Sequence, residues 1–398
     1  MNEDDYMDKF QEVRKEYPIT NNQTYLDTPT TGMISTSSYK AMRDLLKHRY
    51  MEGTDIEEYF GLWSLADETR NYLAELINAE SSEIVYGLSS SSLFNIFTNG
   101  NILTYGDNVV VYDNAYPAIT YNWISKSIHG IDVRIVKSQN GFVSEDMLEN
   151  AVDEKTKVMS VCHVDMGSGY RHDIERLGNF CRNKHIWLTV DATQSVGAMH
   201  IDVKKMKIDF LTASSYKWLQ NILGIGFAFI NTELLKSLEQ SCMGWANTAN
   251  RIHDDSTHYE LSQTASRFED GGLNFLGIQG LQISVQQYLK LGGEEIERYI
   301  LQLVGYLYQK VGDIPDVSIY GNYDISHRSG IVCLNVPIEW NLSNFCLESA
   351  GVRANMLAKD KLRIGVHYYN NTSDIDALIS FLLKRSKSQN IKREQDNY

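Results

Sequence analysis

One lysine and one aspartate carry the clearest chemistry in this sequence. Lys217 stands in the run Thr212-Ala-Ser-Ser-Tyr-Lys-Trp218, about one β-α-β unit after Asp191. A lysine amine can hold an aldehyde as a Schiff base, and a carboxylate can keep a pyridine nitrogen protonated so that the ring accepts electrons. The pair therefore indicates pyridoxal phosphate as the cofactor.

The segments before these two residues are expected to place them together. Ile186–Asp191 and Ile208–Ser214 are predicted to be buried parallel strands, so both side chains would lie over one crevice at the sheet's carboxyl edge. Taken alone, the aspartate is more typical of a helix cap and the lysine of a solvated loop. A third apolar strand is predicted at Ile222–Ile230, and with it the lysine should be partly enclosed and its pKa lowered.

A run of four serines suits a phosphate. Gly87–Asn95 follows a short predicted strand, Glu83–Tyr86, and opens a predicted helix. Helix N-termini bind anions through free backbone N–H groups. A flexible loop or an ordinary N-cap would give the same pattern, so the order of this run relative to Asp191 and Lys217 is what favours a phosphate site.

These ordered motifs together resemble the class V aminotransferase family of fold type I pyridoxal-phosphate enzymes, whose relatives include cysteine desulfurases and isopenicillin-N-epimerase-like proteins. The resemblance runs from about Tyr25 to Asp376 and is strongest over Val190–Asp202 and the segment that contains Lys217. It implies that Lys217 forms the Schiff base, that Asp191 contacts the pyridine nitrogen, and that Gln194 bonds the ring hydroxyl.

The resemblance also implies the rest of the cofactor site. The phosphate would be bound by Ser90, Ser91, Ser92, Ser214 and Tyr216. Tyr116, in a Tyr-Pro pair after the predicted strand Asn108–Tyr112, would stack on the ring, although packing is the commoner role of a tyrosine. The loop Arg267–Asn274 would complete the phosphate site of a partner subunit, with Gly272 where the family usually has a threonine.

Substrate recognition is expected at the C-terminal end. Lys361–Asn370 resembles the family's signature in which the position of Arg363 clamps the substrate carboxylate, a task suited to the bidentate fork of arginine. Without the signature, a surface salt bridge would be the better interpretation. The loop Tyr25–Gly32 resembles the N-terminal substrate loop, which would bring Thr31 and Gly32 to the same carboxylate.

Several departures from the family pattern bear on the reaction. Cysteine desulfurases carry a nucleophilic cysteine shortly before the arginine signature, but Gly351–Asp360 contains none, which argues against persulfide transfer. Cys346 is expected to be a buried structural thiol in a helix over Leu342–Ala350. Met166 replaces an asparagine near the ring hydroxyl. His163 is either a base behind the site or, as we favour, a capped histidine at a strand end.

Composition limits the class of protein. The 398 residues, 43% of them hydrophobic, can form a large core, and we expect no signal peptide, no membrane span and no metal site. Five widely spaced cysteines favour free thiols in a reducing cytoplasm. The net charge of −14 argues against nucleic acid, and the basic stretch Lys384–Arg393 is expected to be a solvated end.

Strands and helices alternate from about Ser82 to Asn231, which predicts an α/β fold with a mostly parallel central sheet. Helices at Gly277–Leu291 and Glu294–Val311, then strands at Ser329–Val336 and Lys361–Val366, follow. The resemblance implies the fold type I architecture, with helices on both sheet faces and a smaller C-terminal α+β domain. Three parts are expected. Residues 1–24 form an N-terminal segment that packs on the small domain, residues 25–270 form the cofactor domain, and residues 271–398 form the small domain. The resemblance also implies a homodimer with shared active sites.

The predicted function is an enzyme acting at the α-carbon of a small amino acid, with aminotransferase ahead of a C–S or β-elimination lyase or an epimerase. A non-catalytic paralogue that binds a partner is a further alternative. A nicotinamide dehydrogenase fits less well, because neither Gly167–Gly169 nor Gly224–Gly226 has the third glycine of the dinucleotide fingerprint. The substrate side chain would be read by loops near Thr31, Met51–Tyr59 and Trp245–His258, which carry no decodable motif.

Overall fold

The computed structural model describes residues 3–251, 256–321 and 323–396. Its strands are β1 Thr24–Tyr25, β2 Ile84–Gly87, β3 Asn108–Tyr112, β4 Asp132–Val136, β5 Thr156–Cys162, β6 Trp187–Asp191, β7 Phe210–Ser214, β8 Gly226–Ile230, β9 Ser318–Ile319, β10 Ile331–Asn335, β11 Val352–Arg353, β12 Asn355–Ala358 and β13 Lys361–Gly365. Its helices are α1 Glu3–Arg14, α2 Thr36–Met51, α3 Ile56–Ile77, α4 Ser90–Thr98, α5 Pro117–Lys126, α6 Glu145–Asn150, α7 Ile174–Lys184, α8 Thr232–Ser237, α9 Phe275–Leu291, α10 Gly293–Val311, α11 Asn344–Ser349 and α12 Thr372–Asp396.

A seven-stranded sheet forms the centre of the molecule, in the order β2-β8-β7-β6-β5-β3-β4. The strands β4, β3, β5, β6 and β7 are parallel, and β8 runs antiparallel to both β7 and β2. Strands β3, β7 and β8 are buried along their whole length, as their continuous apolar runs require in a sheet covered on both faces. The predicted α/β fold with a mostly parallel sheet is confirmed.

Parallel register brings the site residues to one edge. Cys162 at the end of β5 pairs with Asp191 at the end of β6, and Asp191 pairs with Thr212 of β7. Lys217 follows three residues after the end of β7. This edge is where ligands bind in open α/β sheets, so the crevice expected from the sequence is present.

A second, smaller sheet lies in the C-terminal part, with the antiparallel order β12-β13-β10-β9. The N-terminal segment packs against this part. β1 pairs in parallel with β11, and the Arg14 guanidinium donates to both carboxylate oxygens of Asp374 in α12. The rings of Phe10 and Tyr299 stack with centroids 4.1 Å apart. These contacts support the division at residues 24 and 270, which we keep as a proposal.

Two predicted elements differ from the structure. The apolar run Ile222–Ile230 is a strand only from Gly226, because Gly224 adopts a left-handed φ of +84° that ends any extension of the strand. The predicted helix Leu342–Ala350 is shorter, at Asn344–Ser349. Cys346 is partly exposed in it, so the expectation of a buried structural thiol is wrong. It lies in the first turn, where the neighbouring Asn344 and Phe345 are also exposed.

All five cysteines are free thiols, as the spacing predicts. Within the described ranges, no helix combines the length and the apolar character that crossing a bilayer requires. The same residues contain no group of three or more His, Cys, Asp or Glu side chains placed to hold a metal ion.

Candidate active site

The amine of Lys217 is enclosed by two tyrosines. Its Nζ lies 5.5 Å from the ring centroid of Tyr116 and 5.6 Å from that of Tyr216, and the residue is 6% exposed. Burial lowers the pKa of this ammonium from 10.5 to about 8; Asp191 opposes the shift and Arg363 adds to it. The expected partly enclosed lysine with a lowered pKa is confirmed, so a usable fraction of neutral amine exists near neutral pH.

Asp191 lies below this amine at the end of β6 and is 3% exposed. Its Oδ1 accepts a hydrogen bond of 2.9 Å from the backbone N–H of Thr193. Burial raises the pKa of the Asp191 carboxyl, while the Thr193 side chain and N–H and the charge of Lys217 counteract the shift. A carboxylate in this desolvated position gains strongly from a cationic partner such as a protonated ring nitrogen.

The backbone around Lys217 is packed without spare room. A Cβ at Gly32 would lie 1.8 Å from the carbonyl oxygen of Lys217, and the N–H of Gly32 donates to the Tyr216 carbonyl at 2.8 Å. Gln220 closes the loop with a φ of +53°. Gly32 is therefore a glycine because the Lys217 loop passes directly against it.

The serine run forms the start of α4. Ser89 is the N-cap, and it forms a reciprocal capping box with Ser92. Ser90 is buried, with its N–H donating to Ser214 Oγ at 2.9 Å and its hydroxyl 2.8 Å from Thr212 Oγ1. Ser91 and Ser92 are exposed in the first helical turn. The helix terminus and the end of β7 thus meet, as a shared phosphate site would require.

Tyr116 caps the N-terminus of α5, and its N–H donates to Cys162 Sγ at 3.4 Å. The residue is 37% exposed, so part of its side chain is open to solvent. Tyr116, Lys217 and Asp191 border a common small pocket of about 10 Å³ whose other walls are Cys162, Val164, Met166, Thr193 and Gln194. The carboxylate and the amine expected to serve the cofactor therefore line the same pocket.

Gln194 has protein partners at both ends of its amide. Its Nε2 donates to the Pro29 carbonyl at 3.1 Å, and its Oε1 accepts from the indole N–H of Trp218 at 2.8 Å. An amide nitrogen carries two hydrogens, so one N–H can still serve the ring hydroxyl. The two contacts fix the amide orientation and tie it to the residue that follows Lys217.

Arg363 is held from three sides in β13. Its Nη2 donates to Thr30 Oγ1 at 2.6 Å, its Nη1 donates to the Met166 carbonyl at 3.1 Å, and its Nη2 lies 3.6 Å from Asp27 Oδ1. Burial raises the pKa of the Asp27 carboxyl, although Thr30 and Arg363 counteract it. The guanidinium is thus fixed in orientation at the rim of the Lys217 cavity, because Met166 contributes to both.

The sequence did not indicate that Asp27 and Thr30 contact Arg363. It singled out Thr31 and Gly32, but in the structure the neighbouring Thr30 supplies the hydroxyl on Arg363. The carbonyl of Thr31 instead accepts from the Tyr25 hydroxyl at 2.6 Å. The Asp27 carboxylate was a usable signal, because a buried acid in a predicted substrate loop needs a cationic partner.

Gly272 lies apart from Lys217, in a cavity bordered by the α4 region through Gly87, Leu88 and Ser92. A Cβ at Gly272 would meet nothing within 4 Å, so space does not exclude the family's threonine there. The predicted substrate loop Trp245–His258 includes residues 252–255, which lie outside the described residues.

His163 behaves as a buried strand-end residue. It is 4% exposed, and its backbone N–H and carbonyl bond to Asp191 and His172. Burial lowers the pKa of its imidazole to about 3, with the charges of Arg171 and His172 adding to the effect. A neutral ring of such low basicity is a poor base, in keeping with the interpretation favoured from the sequence.

The residues present fit pyridoxal phosphate on the evidence of their own chemistry. A nearly buried amine and a desolvated carboxylate line one pocket with a partly exposed tyrosine, and a helix N-terminus rich in hydroxyls adjoins the end of β7. Schiff-base attachment, a protonated ring nitrogen, ring stacking and a dianionic phosphate need these four features.

Comparison with known proteins gives the same answer. The family model described as aminotransferase class-V matches residues 24–378. A probable cysteine desulfurase of Methanothermobacter thermautotrophicus is 28% identical over 393 residues, covering 92% of this chain and 96% of that protein.

Two solved structures show the same fold. The apo cysteine desulfurase of Thermococcus onnurineus NA1 has a TM-score of 0.84 at 23% identity, covering 95% of this chain and 98% of that one. The complex between the cystine C–S lyase C-DES and its product cysteine persulfide has a TM-score of 0.85 at 20% identity, covering 92% and 99%.

Proposed function

The chain belongs to the aminotransferase class-V family and is a pyridoxal-phosphate-dependent enzyme, and from this premise we propose that it is a carbon–sulfur lyase. Its substrate class is a cysteine whose sulfur carries a further substituent, with L-cystine as the first candidate. The relatives named cysteine desulfurase and the neighbour named cystine C–S lyase support cleavage at sulfur. The sequence alone favoured transamination, which the test below separates from elimination.

The positions and burial of the cysteine thiols are the observation that supports this proposal. The segment before the arginine signature, where desulfurases hold a nucleophilic cysteine, forms β12 without one. Cys162 and Cys333, the thiols beside Lys217 and Arg363, are both buried, and burial raises the pKa of the Cys333 thiol to about 11 and that of Cys162 further. A thiol that stays protonated is a poor nucleophile, so neither Cys162 nor Cys333 is suited to persulfide transfer, which supports elimination.

Bound pyridoxal phosphate would be held by Lys217, Asp191, Tyr116, Gln194 and the α4 terminus, and it supplies the electron sink that stabilises negative charge at the substrate's α-carbon. Lys217 then takes the α-proton on Nζ, for which its lowered pKa suits it. The Cβ–S bond breaks with both electrons leaving on sulfur. The remaining three carbons gain water and depart as pyruvate and ammonium.

Arg363 orients the substrate in this scheme. Its guanidinium would donate to the α-carboxylate, while the Met166 carbonyl and the Thr30 hydroxyl hold its plane. Fixing the carboxylate fixes which Cα bond faces the Lys217 amine, because the substrate is then held at two points. A persulfide or thiolate leaves as a stable anion, so the scheme calls on no thiol of this chain.

A homodimer with shared sites is part of the proposal. Exposed large apolar side chains concentrate on α2, on α3 and on the turn before α4: Tyr39, Leu46, Tyr50, Met51, Ile56, Phe60 and Leu88. A cavity of about 450 Å³ opens between these helices and residues 273–276, directly after Gly272. An apolar surface of this kind on a globular enzyme supports burial against a second copy.

Product analysis tests the function. The protein loaded with pyridoxal phosphate is incubated with L-cystine, L-cysteine and L-alanine, each with and without pyruvate or 2-oxoglutarate. Elimination predicts pyruvate and persulfide sulfur in equal amounts from L-cystine. Alanine formed together with protein-bound persulfide would instead indicate a desulfurase, and amino transfer to the added keto acid would indicate an aminotransferase; either result overturns the proposal.

A further inference from the structure

Five buried side chains form a continuous polar chain behind the Lys217 cavity. His172 lies at its centre, with Nδ1 3.5 Å from Glu145 Oε1 and Nε2 3.8 Å from Asp165 Oδ1. Each carboxylate also accepts from a tyrosine hydroxyl: Tyr112 donates to Asp165 Oδ1 at 2.6 Å, and Tyr170 donates to Glu145 Oε2 at 2.8 Å. The order is therefore Tyr112, Asp165, His172, Glu145, Tyr170.

Charge balance requires a cation at the centre. Both carboxylates are buried, at 1% exposure for Asp165 and 3% for Glu145. Burial raises the pKa of both tyrosine hydroxyls, so these remain neutral donors. Although burial disfavours a charged imidazole, Asp165 and Glu145 outweigh it and raise the pKa of His172 to about 9. Without this cation, two buried carboxylates would face each other with no compensating charge.

One end of the chain reaches the loops of the active site. Asp165 also accepts from Asn114 Nδ2 at 3.4 Å, two residues before Tyr116. The Tyr112 hydroxyl accepts the N–H of Cys162 at 3.2 Å, and Cys162 Sγ accepts the N–H of Tyr116. The next residue after Asp165 is Met166, whose carbonyl holds Arg363. One carboxylate thus anchors both the aromatic loop and the carbonyl that orients the substrate arginine.

The other side of the chain adjoins a cleft. His172 and His163 border a cleft of about 770 Å³ between α7 and α10, along with Arg171, Glu297 and His200. The further titratable groups near His172 are His163, which burial keeps neutral, and Arg171, which is paired with Glu297. The imidazole of His172 is fully buried beside this cleft.

We propose that His172, as a cation held between Asp165 and Glu145, is a positioning residue that sets the placement of Tyr116 and Arg363. The proposal rests on the proposed function, because it concerns the same substrate site. His172 touches neither the substrate nor the cofactor and acts only through Asp165. Loss of its charge lets the loops at Tyr116 and Met166 shift, which loosens the grip on the substrate carboxylate.

The test compares His172→Gln with His200→Gln, a histidine of the same cleft outside this chain. For His172→Gln we expect a roughly ten- to hundredfold higher KM with a smaller change in kcat, the size of effect that a displacement of ~1 Å can produce. The wild-type KM should rise as pH passes about 9, and His172→Gln alone should lack this rise. A folded His172→Gln with the wild-type KM and the same alkaline rise would overturn the proposal.

If His172→Gln does not fold, a second measurement on the wild-type protein still tests the proposal. In the wild-type protein without cofactor, the ring resonances of His172 in isotope-labelled histidine should titrate near pH 9. Titration near the ordinary value of 6.5 would overturn the proposal whatever the kinetics show. If wild-type protein cleaves no sulfur amino acid, the proposed function fails, whereas this titration still decides the state of His172.

Discussion

The carboxylate of Asp27 lies 3.6 Å from the guanidinium of Arg363, the cation that we propose holds the substrate carboxylate. The two residues are 336 positions apart in the chain and meet because Asp27 forms a bridge beside β13. Asp27 is an internal anion next to the cation proposed to hold the substrate. Because Asp27 lies so close to Arg363, we expect replacements of the two residues to change the KM for the substrate in opposite directions.

Replacement of the cation should weaken substrate binding strongly. Arg363→Lys keeps the charge but loses the planar fork held by Thr30 and Met166. We expect KM for L-cystine to rise at least about thirtyfold, the factor that corresponds to a ~2 kcal/mol loss of charge-assisted hydrogen bonds to the carboxylate. Steady-state kinetics would measure it, and an unchanged KM would remove Arg363 from the carboxylate site.

Replacement of the anion should have the opposite effect. Asp27→Asn removes the repulsion between its carboxylate and the incoming one, while Thr30 and Met166 still orient Arg363. We expect KM to fall roughly two- to fivefold, as removal of a repulsion below ~1 kcal/mol would give. A rise in KM would show instead that Asp27 holds Arg363 in place.

Attachment of the cofactor should depend on pH through Lys217. The neutral amine is the nucleophile, and the pKa of this amine is lowered from 10.5 to about 8. The attachment rate should therefore rise with pH, reach half its maximum near pH 8 and flatten above that. Stopped-flow absorbance of protein mixed with pyridoxal phosphate would follow it; a rate still rising steeply at pH 10 would contradict the lowered pKa.

Two glycines should respond differently to a methyl group. Gly32→Ala places a Cβ against the Lys217 carbonyl, which should cost about 1–3 kcal/mol of unfolding free energy and slow cofactor attachment. Gly272→Ala, the matched control, meets open space and should change stability by less than ~0.5 kcal/mol. Thermal unfolding of both variants would check this, and equal effects would show that Gly32 is not packed as described.

The sequence predicted the parts of the site that depend on local pattern. Strand β3 has the predicted bounds, and Lys217 and Asp191 follow adjacent parallel strands, because continuous apolar runs define buried strands well. The pattern could not reveal Thr30 on Arg363 or the Asp165–His172–Glu145 chain. Those contacts depend on how distant segments pack, as the misjudged burial of Cys346 also does.

The most direct test of the account is to locate the cofactor on the chain. Protein loaded with pyridoxal phosphate is reduced with borohydride, digested and analysed by mass spectrometry, alongside Lys217→Ala. The account predicts that the reduced label lies on the peptide containing Lys217 and that the variant carries none there. A label on another lysine, or equal labelling of the variant, would contradict it.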